Sequence, residues 1–113
     1  MINADFTRSG RGFKLRIEGH AQHGAEGEDI VCAAVSSIFY SLCGYIINFR
    51  SGSIKVNALE KGLADIECGF DCEESLKLAC LGLWQIANTY PSHLKVGIGA
   101  WNWKMITSAS VSL

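Results

Sequence analysis

Cys32 and His20 are the two residues in this chain whose types and surroundings point most directly to chemistry. His20 closes an alternating segment, a glycine-containing stretch follows, and Cys32 falls in the expected first turn of a long helix. The N-terminal turn of a helix has unpaired N–H groups and the positive end of the dipole, so a thiolate there is stabilised. An imidazole beside it stabilises the thiolate further and can protonate a leaving amine. The amide of Cys32, with one beside it, is a candidate donor to the oxyanion of a tetrahedral intermediate. This is the Cys–His logic of a thiol protease, with Cys32 as nucleophile and His20 as its base.

Other residues support this pair. Asp29 has two compatible jobs: capping the helix, or orienting His20. A carboxylate close to the thiol would also oppose the dipole. Ser36 lies one turn beyond Cys32; it bonds a backbone carbonyl or serves the thiol. Gly19, Ala21, Gly24, Gly27 and Glu28 belong to a stretch that reads as a mobile surface loop over a bound peptide. Glu26, Glu28 and Asp29 make that loop acidic, which suits a solvated surface or a basic peptide. His23 lies within the loop and is the weaker candidate base.

The elements that must position these groups follow from periodicity. Asn3 to Arg8 reads as a strand, Ser9 to Gly12 as a turn, and Phe13 to Gly19 as a half-buried strand with Phe13, Leu15 and Ile17 on one face. A helix from about Asp29 carries the stripe Val31, Ala34, Val35, Ile38, Leu42, Tyr45, Ile46 and Phe49, and Ser51-Gly52-Ser53 ends it. Ile54–Leu59 and Leu63–Gly69 form a second hairpin around Glu60-Lys61-Gly62. Asp71 and Glu74 suggest a capping box for a second helix, with Leu76, Ala79, Cys80, Leu83, Ile86, Ala87 and Tyr90 buried and Pro91 as the stop. His93 to Ile98 is a candidate fifth strand. The expected fold class is α+β: a single two-layer domain, ββαββα with a possible short fifth strand, helices on one face of the sheet. The other face is expected to be partly polar or covered by a second copy. The Trp-rich stretch from about 99 to 113 is an extension beyond that core.

Composition narrows the function. The chain has 113 residues, 49% hydrophobic and 19% charged, which suits one globular domain. A formal net charge of −1 argues against a dedicated nucleic-acid binder. Five cysteines, an odd number, behind no secretory leader suggest free thiols in a reducing cytoplasm. Cys68 and Cys72 with His20 and His23 count as four zinc ligands by type, but the spacing between the pairs is not diagnostic. Ile30 to Phe49 is uncharged and of membrane length, yet Ser36, Ser37, Ser41 and Asn48 interrupt it. A helix buried on most sides, partly in a subunit contact, is the preferred reading. Trp84, Trp101 and Trp103 suit core or dimer contacts better than a peptide platform.

The run Gly19-His20-Ala21, followed by Gly27-Glu28-Asp29-Ile30-Val31-Cys32-Ala33-Ala34-Val35-Ser36, resembles the signature of the ribosomal-processing cysteine protease Prp family. The second hairpin, Leu81-Gly82-Leu83 and Tyr90-Pro91 extend the resemblance to about residues 1–98. It implies a small homodimeric α+β endopeptidase with no cofactor. Such a protein removes the N-terminal extension of large-subunit ribosomal protein 27, cutting after a phenylalanine in a motif flanked by small and basic residues. The family's histidine and cysteine map to His20 and Cys32, and its recurrent aspartate and serine to Asp29 and Ser36. His23, the further cysteines and the non-acidic tail depart from the pattern. The contrasting expectations are a non-enzymatic ribosome-associated binding protein of the same fold, and a thiol redox or metal module.

Overall fold

A computed structural model describes residues 1–19, 28–50 and 54–99, without the side chains of Glu28 and Asp29. Strands β1 (Ile2–Ser9) and β2 (Gly12–Glu18) form the first hairpin, and helix α1 (Glu28–Phe49) follows. Strands β3 (Ile54–Glu60) and β4 (Leu63–Gly69) form the second hairpin. A 3-10 turn (Phe70–Cys72) leads into helix α2 (Glu73–Thr89), and β5 (Leu94–Ile98) closes the described fold. The sheet order is β3-β4-β2-β1-β5, antiparallel except that β5 runs parallel to β1. The expected α+β domain is therefore the observed one, and the fifth strand is present. The expected tail lies outside the described residues from 100 onward.

Alternation decides which face of the sheet meets the helices. Ile2, Ala4 and Phe6 of β1, Leu15 and Ile17 of β2, and Ile66 and Cys68 of β4 point into the core. Val31, Val35, Phe39, Leu42 and Ile46 of α1 and Leu76, Ala79, Cys80 and Leu83 of α2 cover them. Each fully buried Leu, Ile or Phe contributes about 1.5–3 kcal/mol by leaving water. Gly82 lets the helices approach: a Cβ there would lie 2.9 Å from Cδ1 of Ile38.

Three helix expectations are corrected. Phe39 belongs to the buried stripe, whereas Tyr45 and Phe49 do not; Phe49 is 71% exposed. Residues 31, 35, 39, 42 and 46 follow the line of closest approach to the sheet, and 45 and 49 drift to its flank. Hence α1 is not buried on most sides. It is long and apolar enough to cross a membrane, yet 28% of that stretch is buried, as a helix lying over a sheet would be. The N-cap position also moves, from Asp71 to Cys72. The 3-10 turn shifts the start of α2 to Glu73, and its N-cap, Cys72, makes no side-chain cap bond. Instead the Ser75 hydroxyl donates to the carbonyl of Cys72 at 3.0 Å.

The outer face of the sheet is polar, built around the buried carboxylate of Asp65. Arg16 Nη1 donates to Oδ2 at 3.0 Å, Lys14 Nζ lies 3.3 Å from the same oxygen, and Asn57 Nδ2 donates to Oδ1 at 3.2 Å. Asn57 sits at a register shift between Val56 and Ala58, which places its amide there. Burial pushes the Asp65 carboxyl up. The hydrogen bonds from Asn57, Arg16 and Lys14, with the charge of Lys14, outweigh this and hold it below its ordinary value. A depressed folded-state value stabilises the fold above the ordinary carboxylate range, and that contribution is lost as pH falls through the folded value. Asp65→Asn is expected to cost about 1–3 kcal/mol at pH 7. In urea melts its gap to wild type should narrow as pH drops below about 4.

Candidate active site

Cys32 sits where several elements converge at one end of the sheet. It is half-buried, with part of its surface packed on the core. It lines a cleft of about 170 Å³ together with Ile2, Ile17, Gly19, Val35, Ser36, Phe39, Tyr40, Leu59, Glu60, Gly62, Leu63 and Ala64. The floor is apolar, made by Ile2, Ile17, Val35 and Phe39, all nearly inaccessible. Cys32, Ser36 and Tyr40 stand at i, i+4 and i+8 along one side of α1 and form a wall. The opposite wall is the turn between β3 and β4.

Gly19 joins these parts. Its N–H donates to the carbonyl of Gly62 at 3.0 Å, which ties the end of β2 to the β3–β4 turn. Its φ is +140°, and a Cβ there would collide with the carbonyl oxygen of Met1 and lie 2.8 Å from Cα of Ile2. The glycine therefore lets the end of β2 pack tightly against the start of β1 and the β3–β4 turn, at the edge of the cleft that contains the thiol.

The expected site is only partly assembled among the described residues. Cys32, Ser36 and Gly19 share the cleft. His20, Ala21, His23, Gly24, Glu26 and Gly27 lie outside the described residues, as do the side chains of Glu28 and Asp29. The described histidine, His93, packs its ring against Tyr90 at 6.4 Å and is not part of the cleft lining. Because α1 is helical from Glu28, Cys32 falls one full turn in, and its N–H faces the carbonyl of Glu28 within the helix ladder. That amide is thus not the free oxyanion donor expected from a first-turn position. The pairing of Gly62, Leu63, Leu59 and Glu60 with the thiol was not legible from local sequence; the signal available was the turn glycine itself, Gly62, at φ +84°.

The other thiols are poor nucleophiles. Burial pushes Cys68 and Cys80 up to about 12; for Cys68, Cys72 and Cys43 add smaller contributions. Burial raises Cys43 as well, and Cys72 is fully buried. All five cysteines are free. Among the described residues no group of three His, Cys, Asp or Glu side chains could hold a metal ion.

A partly accessible thiol opening onto a cleft with an apolar floor and a polar rim, on a two-layer α+β frame, is an arrangement that a thiol-dependent peptidase can use. A sequence model of the family described as Cysteine protease Prp matches residues 1–95, and the chain belongs to that family. A curated relative, the ribosomal processing cysteine protease Prp of Staphylococcus aureus, is 34% identical over 64 residues. That alignment covers 55% of this chain and spans 60% of the relative's length. A crystal structure of the essential ribosomal processing protease Prp from S. aureus with a covalently linked product peptide is similar at a TM-score of 0.74 and 26% identity, covering 87% of this chain and 99% of the other. The same protease in complex with a substrate peptide matches in fold at a TM-score of 0.75 and 24% identity, with the same coverage of both chains.

Replacing Gly19 should disturb both fold and site. Gly19→Ala is expected to cost at least about 1–3 kcal/mol for the positive φ alone. Thermal melting should fall accordingly, and the rate of Cys32 alkylation should change in the fraction that remains folded.

Proposed function

We propose that this chain is a cysteine endopeptidase that removes the N-terminal extension of a large-subunit ribosomal protein of the ribosomal protein 27 type, cutting after an aromatic residue. The observation that carries the reading is a half-buried Cys32 lining a cleft with an apolar floor in a member of the Prp family. The S. aureus relative, crystallised with a covalently linked product peptide, supports a peptide substrate. The apolar floor of the cleft, Ile2, Ile17, Val35 and Phe39, and its volume of about 170 Å³ support a bulky apolar side chain beside the thiol.

In this mechanism Cys32 Sγ attacks the carbonyl carbon of the scissile bond. His20 accepts the thiol proton and returns it to the leaving amine as the C–N bond breaks. The resulting thioester is hydrolysed by water, which restores the thiol and releases the acid. Asp29 caps α1 or orients His20, and Ser36 lies beside the thiol in the cleft. No cofactor takes part. The working form is a homodimer: Tyr45, Leu78 and Ile38 line an apolar groove between α1 and α2 that a second copy would cover. Five free cysteines suit a reducing cytoplasm.

Co-expression with the candidate ribosomal protein, followed by its intact mass, tests the proposal. Wild type should remove the extension. Cys32→Ala and His20→Ala should slow removal by at least about 10³-fold. If wild type and Cys32→Ala trim alike, the mechanism is wrong. If neither trims but the two proteins copurify, the chain is a binding protein of this fold.

A further inference from the structure

The cleft beside Cys32 has one charged group among its described lining residues, the carboxylate of Glu60. Glu60 is the last residue of β3, paired with Leu63 across the turn that forms the wall opposite α1. It is exposed, so its charge costs little to keep. Two cations of the sheet's polar face, Lys14 and Arg16, pair with Asp65 and Glu18, and Lys77 of α2 pairs with Glu73 and Glu74. None of these ion pairs engages Glu60. Its neighbour Lys61 does not line the cleft.

We infer that Glu60 is a specificity residue that reads a cationic group on the peptide, a lysine or arginine side chain close to the residue held in the apolar cleft. This rests on the peptidase reading and deepens it. The apolar floor recognises one side chain by burial, and a single carboxylate at the rim recognises its charged neighbour at a fixed distance along the extended peptide. An anionic neighbour at the same position would meet like charge, so Glu60 both selects and excludes. Because the carboxylate faces water, its effect is modest and sensitive to salt.

The test uses peptides with one phenylalanine and a single Lys, Gln or Glu moved through the neighbouring positions. Binding is followed by fluorescence anisotropy on Cys32→Ala, and cleavage on the active enzyme, each with and without Glu60→Gln and Glu60→Lys. At one position Lys should be preferred over Gln by about 3- to 5-fold, the range of an exposed ion pair. That preference should vanish in Glu60→Gln, reverse toward Glu in Glu60→Lys, and shrink in 0.5 M salt. Thermal melts of the Glu60 variants should match wild type. A lysine preference that survives Glu60→Gln, or is absent from wild type, overturns the inference. Cleavage without charge preference removes the Glu60 subsite and leaves the peptidase standing. Glu60-dependent binding without cleavage by the active enzyme keeps the subsite and removes the peptidase.

Discussion

At one end of the sheet three backbone segments meet on Gly19. Its N–H is held by the carbonyl of Gly62, and the carbonyl of Met1 and Cα of Ile2 pack where a side chain would otherwise stand. The contact exists because β2 lies between β1 and β4, so the start of one neighbour and the start of the other both arrive at its end. The cleft beside Cys32 is the gap left between that junction and α1. Its depth depends on the crowding at Gly19, and its direction on the angle at which α1 crosses the sheet.

The helix supplies the other half of the arrangement. Val31, Val35 and Phe39 anchor α1 in the core, which turns Cys32, Ser36 and Tyr40 to the side facing the cleft. A cysteine placed there is only half-buried, while Cys68, Cys72 and Cys80 are enclosed. Burial disfavours the charged thiolate and pushes Cys68 and Cys80 up to about 12, so these two stay protonated near neutral pH. Cys43 is half-buried like Cys32, but burial raises its thiol and it does not line the cleft, so five cysteines in one small chain are compatible with chemistry at a single sulfur.

Sequence alone predicted much of the frame and one wall of the site. Strict alternation in Phe13–Ile17, the turn at Glu60-Lys61-Gly62 and the helical spacing from Val31 each correspond to observed elements, because each signal is local. The errors are non-local or concern phase. Phe39 against Tyr45 and Phe49 depends on how α1 lies on a twisted sheet. The start of α2 depends on a 3-10 turn that Asp71 and Glu74 do not signal. The participation of Leu59, Glu60 and Gly62 follows from β4 pairing with β2, a contact between segments far apart in sequence. Cys32 and Ser36 were identified from a motif and do share the cleft, whereas the placement of His20 lies outside the described residues.

The central claim is that Cys32 reacts with a peptide whose aromatic side chain occupies the adjoining apolar cleft. The direct measurement is a crystal structure of the protein treated with a peptidyl chloromethyl ketone ending in phenylalanine. The account predicts one covalent bond, on Cys32 Sγ, with the phenyl ring seated among Ile17, Val35 and Phe39. A bond to another cysteine, or a Cys32 adduct whose ring lies outside that cleft, would contradict it.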